Sequence, residues 1–102
     1  MRFGLEDDIV KNLITAISKS EAVKKTVVFG SRARGDYKYN SDIDIALYID
    51  GELYPGLFTN IDEAAGIYKI NTIIMNKLSN EKLRRNIERD GVEIYNKDKE
   101  RN

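Results

Sequence analysis

The chain has 102 residues, in which 17 Lys and Arg balance 17 Asp and Glu to a formal net charge of zero. That length is one domain, and the neutral balance argues against a protein that grips long nucleic acid by itself, a task that needs a basic surplus. Cysteine and histidine are absent, which removes disulfides, thiol nucleophiles, Cys/His zinc sites and imidazole bases, so a bound metal must be a hard cation held by oxygen.

From Leu5 to Ser18, apolar Leu5, Ile9, Leu13 and Ile17 recur every fourth residue, with acidic Glu6, Asp7 and Asp8 in the first turn. This spacing predicts an amphipathic helix whose charges suit its dipole. Thr26–Phe29 is a short β-prone apolar run closed by Gly30 and reads as a buried strand. The polar segment Ser31–Ser41 has room for a helical turn. From Asp42 to Ile49, Ile43, Ile45, Leu47 and Ile49 alternate with Asp42, Asp44, Ala46 and Tyr48, which predicts a second strand ended by the turn Asp50-Gly51. Residues 56–65 read as a second main helix with Leu57, Phe58, Ile61 and Ala65 inward, and Lys69–Met75 as a third strand. Ser79 is the expected N-cap of a last helix, with Leu78 and Leu83 as its hydrophobic staple and Gly91 at its C-terminal stop. Val92–Tyr95 adds a short strand.

The expected fold is therefore α/β or α+β, a small mixed sheet with helices packed against it. Residues 1–95 form its single domain, and 96–102, with five charges in seven residues, form a frayed tail. No apolar stretch is long enough to span a membrane and no signal-peptide core follows Met1, so the expected location is the cytoplasm.

Four residues in one stretch carry chemistry: Gly30, Ser31, Asp42 and Asp44. Strand side chains alternate faces, so Asp42 and Asp44 point the same way, roughly 7 Å apart along the backbone. Nothing in folding asks for two like charges there, whereas a divalent cation turns their repulsion into attraction. A bare Asp-x-Asp is equally compatible with a turn and a solvated edge residue. Gly30-Ser31 supplies the second half of the constellation: a strand that runs through a flexible residue into a helical turn aims backbone N–H groups outward, an anion site to which Ser31 adds a donor and Arg32 and Arg34 add charge. Those arginines are equally suited to bracing the fold or facing solvent. Gly30 and Gly35 have the glycine spacing of a P-loop, yet Asp36 and Tyr37 stand where its Lys and Ser/Thr belong, and no G-x-G-x-x-G occurs. A phosphate cradle on one strand and a metal pair on the next are together what a magnesium nucleoside triphosphate needs. Tyr37 and Tyr39 flank the aspartates, placed either to stack on a base or as ordinary loop residues; Arg84, Arg85 and Arg89 suit an acidic partner or a solvated helix face.

Gly30-Ser31, then ten residues (Arg32 to Ser41), then Asp42-Ile43-Asp44 resembles the pattern of the DNA polymerase beta nucleotidyltransferase superfamily. The stretch from Val27 to Ile49, with the length and element order, resembles its minimal nucleotidyltransferase (MNT) group, which is often paired with HEPN-domain proteins as toxin–antitoxin systems. The resemblance implies magnesium-dependent (or manganese-dependent) transfer of a nucleoside monophosphate, AMP from ATP, to an acceptor. In HEPN–MNT pairs that acceptor is a tyrosine of the HEPN toxin, whose RNase activity is blocked by the modification. It further implies that Gly30 and Ser31, with Arg32 and Arg34 beside them, bind the triphosphate, and that Asp42 and Asp44 hold metal. The family's third carboxylate falls at Asn71, an uncharged oxygen ligand that cannot take a proton; Asp50, Asp62 and Glu63 do not sit on that strand. The sequence thus implies either an enzyme, weakened to some degree by Asn71, or a protein that neutralises its partner by binding alone. A domain this small needs a partner or self-association to bring the acceptor, a requirement that a subunit of a nucleic-acid-modifying transferase would share.

Overall fold

The computed structural model describes residues 1–100. A four-stranded mixed sheet runs in the order β3-β2-β1-β4, built from β1 (Val23–Phe29), β2 (Ile43–Ile49), β3 (Ile70–Ile74) and β4 (Val92–Asn96). β1 is antiparallel to both β2 and β4, and β2 is parallel to β3. The helices are α1 (Asp7–Ser18), α2 (Gly30–Arg34), α3 (Leu57–Ala64), α4 (Glu81–Asp90) and α5 (Lys97–Glu100), with a 3-10 turn at Met75–Lys77. The α+β class and the mixed sheet agree with the sequence reading.

The core divides at the sheet. On one face Val28, Ile43, Ile45, Leu47 and Ile94 pack with Leu13 and Ile17 of α1 and with Leu57 and Ile61 of α3. On the other, Val27, Phe29, Ala46 and Met75 pack with Ile87 of α4, flanked by Leu78 and Leu83. Because β1 is a central strand, its last four residues are buried on both faces and the strand reads as a continuous apolar run. β2 alternates: Ile43, Ile45 and Leu47 are fully buried, which leaves Asp44, Ala46 and Tyr48 for the α4 side.

Several sequence expectations shift. α1 begins at Asp7 because residues 2–5 form a tight turn, with Phe3 and Gly4 at positive φ and the Leu5 N–H donating to the Arg2 carbonyl at 2.8 Å. Leu5 is buried without being helical. Phe58, expected inward, is 43% exposed, since the inner stripe of α3 runs through Leu57, Ile61 and Ala65 at helical spacing. The N-cap of α4 is Asn80, whose Oδ1 accepts from the Leu83 N–H at 3.0 Å, one residue beyond Ser79. Gly91 ends α4 with φ −64°, so it is not a left-handed stop; a Cβ there would stand 2.5 Å from the Ile87 carbonyl oxygen and 3.1 Å from Val27 Cγ2. Where the tail was expected to fray from Asn96, α5 is anchored: Lys97 Nζ pairs with Glu21 at 2.6 Å and Lys99 with Glu93 at 3.0 Å. Residues 101–102 of that tail lie outside the described residues.

Among the described residues, one buried side-chain polar atom is left over. Thr26, fully buried in β1, has a hydroxyl oxygen with no hydrogen-bond partner. An orphaned buried hydroxyl costs about 1–3 kcal/mol, so Thr26→Val, which keeps the shape and removes the polar atom, is expected to stabilise the domain by about 1 kcal/mol and raise Tm by roughly 4–8 °C in a thermal melt. An unchanged or lowered Tm would refute the reading.

Candidate functional site

Sheet register brings Gly30, Asp44 and Asn71 together. The β1–β2 ladder pairs Phe29 with Asp44, so Gly30 leaves the sheet beside that aspartate. The parallel β2–β3 ladder pairs Asp44 with Asn71. Gly30 has φ 72°, and a Cβ on it would lie 2.5 Å from Asp44 Oδ2. Only glycine combines that backbone with so close an approach. The Asn71 amide nitrogen donates to Asp42 Oδ2 at 3.1 Å and to Asp44 Oδ1 at 3.0 Å. One nitrogen thus spans both carboxylates, and both are half-buried at the sheet's end. Ser31 follows in the first turn of α2, half-buried.

The two arginines part company. Arg32, grouped with the triphosphate residues by its sequence position, is 2% exposed, and its guanidinium is turned to backbone: Nε donates to the Ser41 carbonyl at 3.1 Å, and the two terminal nitrogens to Phe3 at 2.9 Å, Ser41 at 2.8 Å and Tyr39 at 3.3 Å. The bracing alternative is the one its hydrogen bonds realise. Arg34 is exposed and pairs with Asp36 at 3.4 Å. Tyr37 covers Gly4 and lies under Arg32 at 5.3 Å, whereas Tyr39 is 89% exposed. On α4, Arg84 donates to the Met75 and Leu78 carbonyls, Arg89 pairs with Asp90, and Arg85 is exposed. Tyr68, which nothing in the sequence singles out, stacks on Arg32 at 5.1 Å and donates to Glu6 at 3.2 Å. Burial and the Glu6 carboxylate raise its pKa, against a smaller lowering by Arg32. No local signal marks it, because its partners are remote in sequence.

Among the described residues no Lys or Arg is within ion-pair distance of Asp42 or Asp44. No cluster of three His, Cys, Asp or Glu that could hold a metal occurs there either. The ligands on offer are the two carboxylates, hard oxygen donors; the Asn71 amide faces them with its NH₂ and is not a ligand in this arrangement. That set fits magnesium, which commonly takes one or two protein carboxylates and completes its shell with water and substrate phosphate. Asp50, Asp62 and Glu63 are not partners of the pair in the described contacts, so the amide is the third group of the site.

Residues 11–100 match the Polymerase beta, Nucleotidyltransferase family. The chain belongs to that family of nucleotidyltransferases. It is 32% identical over 99 residues to MJ0604, a candidate protein adenylyltransferase of Methanocaldococcus jannaschii, covering 88% of this chain and 98% of that one. Its fold is also that of solved structures of lower identity. A toxin–antitoxin structure with AMP-PNP superposes with a TM-score of 0.71 at 20% identity, over 89% of this chain and 77% of the other. The MntA–HepT toxin–antitoxin structure superposes at 0.67 and 16%, over 93% and 76%. The family match agrees with what the Gly-Ser and Asp-x-Asp resemblance implied, and the solved structures share the fold. Among the described residues no helix is long and apolar enough to cross a membrane.

Within this nucleotidyltransferase, the close approach at Gly30 can be separated from backbone strain. Gly35 also has positive φ, 96°, but a Cβ there meets nothing within 4 Å. Gly35→Ala therefore carries only the left-handed penalty of about 1–2 kcal/mol, while Gly30→Ala adds the collision with Asp44. Thermal melts are expected to rank Gly30→Ala below Gly35→Ala; equal losses would mean that Asp44 does not press on residue 30.

Proposed function

We propose that this nucleotidyltransferase transfers AMP from Mg-ATP to a hydroxyl of a partner protein, a tyrosine of a HEPN-type toxin, and so acts as an antitoxin in the cytoplasm. The observation that carries the reading is the convergence of Asp42, Asp44 and Gly30 on one corner of the sheet. It is supported by the adenylyltransferase description of the Methanocaldococcus relative and by the toxin–antitoxin complexes that share the fold.

Asp42 and Asp44 would hold a magnesium ion, which would supply positive charge to offset that developing on departing pyrophosphate. Gly30 lets the backbone come close to the outer phosphates, and the Ser31 hydroxyl donates to them, with Arg34 as the exposed cation beside them. The acceptor oxygen bonds to the α-phosphorus as the bond from that phosphorus to the bridging oxygen breaks, and pyrophosphate leaves. The acceptor proton passes to solvent, because Asn71 cannot take it. A phenol, with pKa near 10, gives up that proton more readily than an aliphatic alcohol.

With labelled ATP, magnesium and the protein encoded beside it, the chain is expected to pass label to that protein. Asp42→Asn and Asp44→Asn should each lower the rate by 100-fold or more, by analogy with the roughly 10²–10³ loss on removing one group that stabilises transition-state charge. Absence of transfer, or transfer untouched by both substitutions, would overturn the proposal.

A second reading, neutralisation by docking alone, is favoured by one contact: the Asn71 amide occupies the space between the carboxylates. Restoring the carboxylate separates the readings. Asn71→Asp is expected to raise transfer by about 10²–10⁴ if the site is an intact enzyme lacking only its base. Toxin neutralisation that survives loss of both aspartates, with no gain from Asn71→Asp, would establish docking instead.

A further inference from the structure

Asp42 is the less anchored member of the pair. The β1–β2 ladder stops at Phe29 and Asp44, and β2 begins at Ile43, so Asp42 lies outside the ladder that fixes Asp44. Its backbone is held from both sides. After it, the Ile43 N–H donates to the Lys69 carbonyl at 2.8 Å. Before it, the Ser41 carbonyl accepts two bonds from Arg32, at 2.8 and 3.1 Å. The turn containing Ser41 is closed locally, its N–H donating to the Lys38 carbonyl at 3.0 Å and its hydroxyl accepting from the Lys38 N–H at 2.8 Å. Arg32 ties that turn to α2 and, through the Phe3 carbonyl, to the N-terminal turn.

The environment of Arg32 is unusual for a buried cation. Among the described residues it has no carboxylate within ion-pair distance; its hydrogen-bond partners are the carbonyls of Phe3, Tyr39 and Ser41, and its guanidinium lies over the rings of Tyr37 and Tyr68. A buried charge without a counter-ion is expensive, and an apolar side chain of similar volume fills such a space at less cost. What an apolar side chain does not supply is a rigid fork of donors aimed at three separate segments. Arg32 belongs to α2, which starts at Gly30 against Asp44, so the same short helix that carries the glycine corner also reaches the residue preceding Asp42.

We propose that Arg32 is a positioning residue: through the Ser41 carbonyl it fixes Asp42 relative to Gly30 and Asp44. Its relevance to catalysis rests on the transfer reaction proposed above; its mechanical role does not. Misplacing a catalytic group by about 1 Å costs on the order of 100-fold in rate. A ligand-binding arginine and a positioning arginine differ in what they change, the first raising KM for ATP and the second lowering kcat.

The test combines hydrogen exchange with kinetics on the full chain. Arg32→Lys keeps the charge and one donor direction but loses the fork. Amides of residues 38–43 are expected to exchange at least tenfold faster while α1 and α3 keep their protection, and kcat is expected to fall at least tenfold with little change in KM for ATP. Tyr68→Leu, which removes one flanking ring and no carbonyl bond, should produce a smaller change in the same segment, and stands in if Arg32→Lys does not fold. Exchange that is unchanged at 38–43, or that rises uniformly across the chain in both variants, would overturn the proposal, as would a loss expressed mainly in KM. A wild-type chain that transfers no label would sink the proposed reaction while the exchange experiment still decides the role of Arg32.

Discussion

Two carboxylates on one face of a strand impose the constraint that the rest of the molecule satisfies. β2 carries Asp44 near its start, with Asp42 immediately before it, and must still bury Ile43, Ile45 and Leu47 completely. The period-2 alternation allows both, but in one register only: a slip by one residue would put the aspartates under α1 and α3 and take the isoleucines out of that core. The charges therefore pin the register as firmly as the apolar residues do. They also dictate the neighbouring strand, because β1 must leave the sheet where Asp44 stands, through a glycine with φ 72° and no side chain to collide with the carboxylate.

The repulsion is eased within the chain by an amide and not by a cation. Carboxylates only accept hydrogen bonds, so Asn71 must present its NH₂ to both, with its own oxygen turned away. Hydrogen bonds to charged groups contribute about 1.5–3 kcal/mol each, enough to keep the pair together without neutralising it. A third carboxylate in that place would bring three negative charges to one corner and make a bound cation a condition of order. Asn71 relaxes that condition, and the base it lacks is the other side of the same substitution.

Much of this was legible in the sequence, because it depends on local periodicity. The alternation from Ile43 to Ile49 fixed the face of the aspartates, the helical stripes gave α1 and α4, and Gly30-Ser31 with Asp42-Ile43-Asp44 gave the family. The place of Asn71 followed from the apolar run after it. What could not be read was whatever depends on partners remote in the chain. Arg32 looks like a phosphate ligand beside Gly30-Ser31, yet its acceptors are carbonyls at positions 3, 39 and 41, and a carbonyl has no letter in a sequence. Tyr68 and Lys97 are fixed by Glu6 and Glu21 across the fold. Phe58 is a different kind of miss: its hydrophobicity suggested burial, but the helix has room for one stripe, and Leu57 and Ile61 already occupy it.

The same charges explain why the helices are shared unequally between the two faces of the sheet. α1 and α3 close the face that is wholly apolar, packing against each other as well as against β2. The face that carries Asp44, Ala46 and Tyr48 receives α4, which covers Ala46, Phe29 and Val27 through Ile87. Past that contact the face opens into a groove of about 490 Å³ lined in part by Lys25, Tyr48, Arg84, Glu88 and Glu93. A second layer laid over the aspartate end would have to desolvate two carboxylates without a neutralising partner, a cost no packing contact of a small domain returns. Leaving that end uncovered is thus a consequence of the charge pattern, and it is also what a site needs if its second substrate is a side chain of another protein.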